Sequence, residues 1–350
     1  MTRTFMRKIT YAQAISEATC LIMEADPNVV LMGIGMDYSS GVFGTTSEAF
    51  NKFGAERVID TPAMENALTG IAIGSATVGM KPILVHARND FMFLALDQLL
   101  NVSSKWNYMF NGNAGTLPII NRAIIGRGWG QGATHSQSIQ SVLAHFPGLR
   151  VVMPSNPADA KGMLLSAWRS SDPIVILEHR SLFNIEGEVE EGMALTDLES
   201  SKVVYEGSDL TIVATSVCVH ESLLIALSLK ALGVSVEVID LRSIQPIDRS
   251  TILESVKKTG RLLIYDTSWV NFGVGAEIAA IVAETDDMNL KSPIVRVGQL
   301  GVPAPVSKPL EDQHYPTYES VLAIVQKMMA RRITETKSIP SITTGFQGPY

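Results

Sequence analysis

The feature that most constrains the fold is a regular alternation of short apolar runs with longer segments of helical periodicity. Apolar runs at residues 29–35, 82–86 and 117–125 predict buried strands. Helical spacing at residues 10–25, 65–79 and 91–106 predicts three of the connecting helices. Strands that alternate with helices form a parallel sheet covered on both faces. The sequence therefore predicts an α/β fold.

The alternation stops at an acidic stretch and then resumes, which predicts two domains. Residues 1–186 form the first domain, residues 187–200 an interdomain linker and residues 201–330 a smaller second domain. Residues 331–350 are predicted to be a loose tail. The helix at 65–79 is small and apolar on nearly all sides, so we expect it to be buried.

Composition excludes several classes of protein. Charged residues are 18% of the chain, against about 25% in a typical globular protein, so we expect a permanent partner surface. The net charge of -7 argues against nucleic acid. No apolar run approaches the roughly 20 residues of a membrane-spanning helix. Cys20 and Cys218 fit buried thiols in a reducing compartment, and no signal peptide is recognised, so we expect a cytoplasmic protein.

A glycine-rich run at residues 126–132 is the most conspicuous local motif. It follows a predicted strand, yet it matches neither the dinucleotide-binding pattern nor a P-loop. The chain also contains no zinc-type Cys/His spacing and no G-x-S-x-G nucleophile motif. P-loop and simple hydrolase functions are therefore not predicted.

Glu65, His135 and Phe91 each allow a structural and a functional interpretation. Glu65 begins a helix and is followed by no other charge before Lys81. It is either a first-turn acid favoured by the helix dipole or a carboxyl with a raised pKa that acts as an acid. His135 either caps a helix start or takes part in chemistry, and Phe91 is either ordinary core or part of a site.

Several motifs occur together and carry a resemblance to a known family. They are RVIDTPxxE at 57–65, LDQ at 96–98, HSQ at 135–137, FPGLRVVMP at 146–154, DAKG at 159–162, VEVIDLR at 236–242, GVGAEI at 273–278 and KPLED at 308–312. The chain resembles the β subunit of the thiamine-diphosphate-dependent decarboxylase component of 2-oxo acid dehydrogenase complexes, and more distantly transketolase. The resemblance covers residues 9–329. It implies a parallel-sheet thiamine-diphosphate-binding fold, with a pyrimidine-binding domain followed by a smaller transketolase C-terminal-like α/β domain.

The resemblance also implies roles for individual residues. Glu65 falls on the glutamate that hydrogen-bonds the cofactor's pyrimidine ring and promotes its activation. Phe91 falls on the aromatic residue that stacks against this ring, and Met64 lies beside Glu65 in the same cofactor site. His135 falls on a histidine that contacts intermediates and assists acyl transfer.

The resemblance further implies that half of the cofactor site lies on another chain. In the family a Gly-Asp-Gly motif holds the diphosphate and Mg²⁺, and this sequence contains none. We therefore predict no metal site in this chain and an α subunit that carries that motif, most simply in an α2β2 heterotetramer. A potassium site of some relatives uses an Asp near the position of Ser170, so that ion is not predicted here.

The sequence departs from the family at the edge of the predicted pocket. His86, Arg88, Asn89 and Asp90 introduce polar and charged groups before Phe91. If they face the pocket, Arg88 can bind an anionic or polyhydroxy substrate; if they face outward, they have no chemical role. Trp129 and Gln137 are further candidates for the substrate pocket.

Three functions follow from these observations. The main prediction is a β subunit that cleaves a pyruvate-like 2-oxo acid and transfers the acyl unit to a lipoyl group or a similar thiol. The first alternative is a hybrid that moves a two-carbon glycolyl unit from a ketose to a carrier protein. The second is a non-catalytic scaffold subunit on the same fold.

Overall fold

The computed structural model describes residues 5–127 and 130–330, and this part of the chain forms two compact units. The first unit contains Val142–Leu198 together with the chain up to Ile125. The second contains Gly126–Ser141 and the chain from Glu199 onward. The predicted tail and the candidate pocket residue Trp129 lie outside the described residues.

Strands and helices alternate along the first unit, as the periodicity predicts. Its strands are β1 (Met6–Thr10), β2 (Val29–Gly33), β3 (Val58–Asp60), β4 (Lys81–His86), β5 (Ile120–Ile125), β6 (Arg150–Val152), β7 (Ile174–His179) and β8 (Glu186–Glu190). The helices up to residue 169 are α1 (Tyr11–Ala25), α2 (Ser47–Phe53), α3 (Glu65–Thr77), α4 (Asn89–Met92), α5 (Trp106–Met109), α6 (Gln140–Ala144) and α7 (Pro157–Arg169). Helix α1 begins at a capping box in which the Thr10 hydroxyl accepts from the Gln13 amide.

Six parallel strands of the first unit pair in the order β6-β7-β5-β4-β2-β3. Every residue of β2, β5 and β7 is buried. This is typical of a parallel sheet, whose strands are covered on both faces. Strands β1 and β8 form a separate antiparallel pair, with Met6 opposite Glu190. The predicted α/β class is confirmed.

The second unit repeats the α/β plan on a smaller sheet. Its strands are β9 (Lys202–Tyr205), β10 (Leu210–Ala214), β11 (Val236–Asp240), β12 (Ser243–Gln245), β13 (Leu262–Trp269) and β14 (Val295–Gln299). Its later helices are α8 (Val217–Lys230), α9 (Arg249–Thr259), α10 (Val274–Ala283), α11 (Lys308–His314) and α12 (Tyr318–Met328). Five strands pair in the order β14-β13-β10-β11-β9, and only β9 among them runs antiparallel to its neighbour.

Three local expectations differ from the structure. The continuous helix expected at 91–106 is divided into α4, a 3-10 turn, a π-helical segment at Asp97–Ser103 and α5, because apolar spacing does not distinguish these helical forms. Strand β8 lies partly inside the predicted linker. Helix α3 is not buried on all sides: Ile71 is 57% exposed and the adjoining Val78 is 80% exposed. Only one face of α3 packs against the rest of this chain, so the apolar composition of the helix does not imply that it is completely buried.

Candidate active site

The candidate site residues of the first unit follow the carboxyl ends of neighbouring parallel strands. Glu65 comes five residues after β3, and His86 is the last residue of β4. Strands β3 and β4 flank β2 on either side in the sheet. Ligands of open α/β sheets bind outside the carboxyl ends of the strands. This edge of the first sheet is therefore the candidate active site.

Glu65 is buried at the start of α3, where a carboxyl group is favourably placed. It is 9% exposed, and it is the acidic residue in the first turn of the helix. Met64 before it is 48% exposed and Phe91 is 39% exposed. The Asn66 amide donates to the Leu94 carbonyl at 3.2 Å, which ties the first turn of α3 to the segment after Phe91. A buried carboxyl thus lies in a region that also presents accessible apolar side chains.

The polar residues at the end of β4 turn inward rather than outward. His86 and Asn89 are buried, and Arg88 is half-buried. Burial lowers the pKa of His86 to about 4, and the nearby Asn121 amide opposes this only in part. His86 is therefore neutral at pH 7. The Asn89 amide donates to the Asp90 carboxylate at 3.0 Å.

Arg88 lies against an aromatic ring from another loop. Its guanidinium carbon is 5.5 Å from the centroid of the Phe43 ring. One of its amino groups donates to the neighbouring Ala87 carbonyl at 3.1 Å. Burial lowers the pKa of Arg88, and the charge of Asp90 opposes that shift. The guanidinium stays charged, because its ordinary pKa lies far above neutrality.

The loop that carries Phe43 is held by residues that sequence reasoning missed. Asp60 at the end of β3 accepts the amides of Gly35 at 2.6 Å and Met36 at 2.9 Å. Arg122 on β5 donates to the Thr45 hydroxyl at 3.0 Å. The sequence signal for Arg122 is a charged residue inside a mostly apolar strand, and Asp60 lies in the RVIDTPxxE motif, from which this role could not be predicted.

Arg122 itself is neutralised by a buried partner on the next strand. Its Nε and Nη2 donate to the two carboxylate oxygens of Glu178 at 2.6 and 3.0 Å. Both side chains are almost completely buried. This two-point pairing is typical of a structural arginine that is fixed in place.

His135 and Gln137 belong to the second unit. Both side chains are half-buried in the segment Gly126–Ser141. The Thr134 hydroxyl is 2.9 Å from His135 Nδ1. The Gln137 carbonyl accepts the Gly126 amide at 3.4 Å.

This segment packs against other parts of the second unit at two positions. The Gln140 amide donates to Asp266 at 2.7 Å and to Thr267 at 3.1 Å. Gly132 has φ +66°, and a Cβ there would lie 2.6 Å from a methyl group of Val306. This residue therefore has to be glycine. The packing explains why the His135 segment is part of the second unit although it directly follows β5.

The structure thus divides the predicted site residues between the units. Met64, Glu65, His86, Arg88, Asn89 and Phe91 lie in the first unit, and His135 and Gln137 lie in the second. Among the described residues there is no group of three or more His, Cys, Asp or Glu side chains that could hold a metal ion. Within the same residues no helix is long and apolar enough to cross a membrane.

Comparison with known proteins identifies the class to which this fold and site belong. The transketolase pyrimidine-binding domain matches residues 7–186, and the transketolase C-terminal domain matches residues 199–321. A solved split-gene transketolase, described as an inactive β4 tetramer, has a TM-score of 0.72. The match covers 92% of this chain and 98% of the transketolase chain. The sequences are 24% identical, a level at which the similarity shows the fold alone. The molecule is therefore a transketolase-like protein.

Curated relatives narrow this class. The β subunit of acetoin:2,6-dichlorophenolindophenol oxidoreductase from Cupriavidus necator is 38% identical over 92% of this chain and 98% of its own length. The β subunit of 2-oxoisovalerate dehydrogenase from Bacillus subtilis is 36% identical, with 89% and 95% covered. Subunit beta-2 of the mitochondrial pyruvate dehydrogenase E1 component from Oryza sativa is 37% identical, with 93% and 88% covered. The chain belongs to this family of β subunits of 2-oxo acid dehydrogenase decarboxylase components, which confirms the resemblance.

Proposed function

We propose that this chain is the β subunit of a thiamine-diphosphate-dependent enzyme that cleaves a pyruvate-like 2-oxo acid. The enzyme transfers the resulting acyl unit to a lipoyl group or a similar thiol acceptor. The observation that carries this proposal is the buried Glu65 carboxyl at the start of α3, in a region where Met64 and Phe91 are accessible. The names of the family relatives support the reaction class.

The residues around Glu65 fit the pyrimidine half of thiamine diphosphate. When bound, this cofactor supplies the electron sink for carbon–carbon bond cleavage. The Glu65 carboxyl would hydrogen-bond a ring nitrogen and hold a proton there, since its side chain is largely shielded from water. Phe91 presents a ring for aromatic stacking, and the accessible Met64 thioether would add an apolar contact to the cofactor.

His135 is the second proposed catalytic residue. The Thr134 hydroxyl beside Nδ1 restricts the orientation of the imidazole. A histidine can donate or accept a proton near neutral pH, which suits hydrogen bonding to the substrate oxygen and assistance of acyl transfer. Gln137, two residues further on, provides an amide for the substrate, and Trp129 of the same segment is a further candidate.

An α subunit would complete the enzyme. This sequence lacks Gly-Asp-Gly, so we assign the diphosphate and Mg²⁺ to that partner in an α2β2 assembly. The accessible apolar side chains Ile71 and Val78 at α3 provide a surface for it. Several relatives are named as a β subunit, which supports a partner of this kind.

One alternative activity has a specific observation in its favour. His86, Arg88 and Asn89 form a polar edge that turns inward. Such an edge suits a polyhydroxy donor, so a transfer of a glycolyl unit from a ketose to a carrier protein is the second candidate. Assays of the complex with pyruvate, branched-chain 2-oxo acids and ketose phosphates distinguish the two. Turnover of pyruvate alone excludes the hybrid.

Replacement of Glu65 tests whether the subunit is catalytic. In the complex with the α subunit, Glu65→Gln should lower kcat by at least about 100-fold, because the amide cannot supply the proton. Assembly, measured by size-exclusion chromatography with light scattering, should not change. The matched control is Glu319→Gln, since Glu319 is also an acid in the first turn of a helix but is exposed. Unchanged turnover of the Glu65 variant would favour a scaffold subunit.

A further inference from the structure

We infer that Arg88 binds a terminal anionic group of the substrate, a carboxylate or a phosphate, at the end away from the reacting carbonyl. This inference rests on the proposed function, because it assigns a specificity-determining residue to the same site. It follows from three features of Arg88: its donors, its aromatic support and its position on the sheet.

The guanidinium of Arg88 keeps most of its hydrogen-bonding capacity. It has five N–H donors, and the structure pairs one amino group with the carbonyl of Ala87. The charge of Asp90 acts on the guanidinium, but among the described residues Arg88 forms no salt bridge. The buried Asp90 carboxylate accepts from the Asn89 amide instead. A half-buried cation with open donors is suited to an anionic ligand.

Two other arginines of the first unit show how this chain satisfies a structural guanidinium. Arg122 is fully buried and forms two hydrogen bonds with Glu178. Arg57 also lies over an aromatic ring, 5.0 Å from the Phe53 centroid. Arg57 nevertheless donates to the carbonyls of Asp26 and Val29 at 2.8–3.2 Å. Arg88, like Arg57, lies over an aromatic ring. Unlike Arg57, it donates to only one backbone carbonyl among the described residues, that of Ala87.

The position of Arg88 matches that of a substrate contact. It lies two residues after the carboxyl end of β4 and three residues before Phe91, the proposed stacking residue. The Phe43 ring beneath it is itself stacked on Phe183, with centroids 5.2 Å apart. This support limits the rotamers of the guanidinium, so less conformational entropy is lost when an anion binds.

Matched substrate pairs provide the test in the complex with the α subunit. One pair is 2-oxobutyrate and 2-oxoglutarate, which differ by a terminal carboxylate. The other is a ketose and its terminal phosphate ester. The wild-type complex should prefer the anionic member of at least one pair, and the pair that responds identifies the anion. Arg88→Gln should lower kcat/KM for that anionic member by roughly 10- to 100-fold and for its neutral partner by less than about 3-fold.

Further variants separate a specificity role from a structural one. Arg88→Lys should recover part of the preference, since it keeps the charge but loses the planar fork. Arg57→Gln is the control, and it should leave the ratio between paired substrates unchanged. Calorimetric binding of the preferred anionic substrate to the Glu65→Gln complex should weaken by a similar factor when Arg88→Gln is added.

The possible results are distinct. An equal loss for both members of a pair would overturn the inference and assign Arg88 to folding or to a contact with the α subunit. A wild-type complex without any preference for an anionic member would also overturn it, while the proposed function would stand. If an intact complex turns over none of the substrates, the proposed function itself fails.

Discussion

Two buried polar regions of the molecule differ in how their hydrogen-bonding groups are satisfied. On β4 and β5, His86 Nε2 and the side-chain amide of Asn121 are buried, and among the described residues they have no hydrogen-bond partner beyond the interaction between the two side chains that acts on the pKa of His86. In the second unit, a polar cluster between β10, β11 and α9 is internally bonded. There the Ser255 hydroxyl lies 2.7 Å from the Thr211 hydroxyl and also donates to Glu237.

The difference separates polar groups that are hydrogen-bonded within the fold from those that are not. Buried polar groups of folded proteins almost always have partners, and an unpaired group costs stability. The satisfied cluster therefore contributes to stability. Asn121 is the second residue of β5, whereas His86 ends β4 at the carboxyl edge of the first sheet, where ligands of such sheets bind. Arg88 lies at this same edge, which agrees with its assignment to the substrate.

The largest effect is expected where a buried charge is deprived of its counter-charge. Glu178→Gln leaves the Arg122 guanidinium buried without a counter-charge. The free energy of unfolding at pH 7 should fall by about 3–5 kcal/mol in urea titrations. Glu206→Gln is the control, because Glu206 pairs with Lys258 on the surface and its loss should cost less than about 1 kcal/mol. Similar costs for both variants would contradict the distinction between the two kinds of pair.

An intermediate effect should appear at His86 as a dependence of stability on pH. Its folded-state pKa of about 4 lies below the ordinary value of 6.5. The unfolded chain therefore binds more protons between these values, and stability is lost as the pH falls from about 6.5 towards 4. Between pH 7.5 and pH 5 this contribution amounts to about 2 kcal/mol.

The measurement compares urea unfolding of wild type and His86→Asn at the two pH values. The variant should lose about 2 kcal/mol less than the wild type on acidification. His145→Asn serves as the control because His145 is exposed, and it should follow the wild type. Parallel curves for the wild type and the His86 variant would show that His86 is not held neutral.

Much of the fold could be predicted from the sequence because periodicity is a local property. The strand at β4 and the helix at α3 were predicted close to their observed bounds. The pairing of Arg122 with Glu178 could not be predicted from the sequence, because these residues are 56 positions apart and only the order of strands in the sheet brings them together. Similarly, the attachment of the His135 segment to the second unit depends on Gln140 reaching Asp266, 126 positions away.

The candidate site shows the same limit. Glu65 could be singled out because it is an isolated charge at the start of an apolar helix. Whether His86, Arg88 and Asn89 face inward could not be decided, because their direction depends on how the chain turns after β4. Phe43 was missed because its role arises from a contact with Arg88 across 45 positions.

The smallest effect is expected in the satisfied cluster, where one hydroxyl can be removed without exposing a charge. Ser255→Ala removes the hydrogen bonds to Thr211 and Glu237 and should cost about 1 kcal/mol at pH 7. Although burial acts to raise it, hydrogen bonds from Lys258 and Ser255 hold the pKa of Glu237 below its ordinary value.

This shift predicts the pH dependence of the Ser255→Ala effect. A lowered carboxyl pKa stabilises the fold above the ordinary pKa, and the stabilisation disappears as the pH falls through the folded-state value. The difference between wild type and Ser255→Ala in urea unfolding should therefore shrink in acid. Ser228→Ala is the control, because the Ser228 hydroxyl bonds only the Leu224 carbonyl of its own helix, at 2.9 Å. A Ser255 effect that is equally large at pH 7 and pH 3 would show that the cluster stabilises the fold by packing rather than through the charge of Glu237.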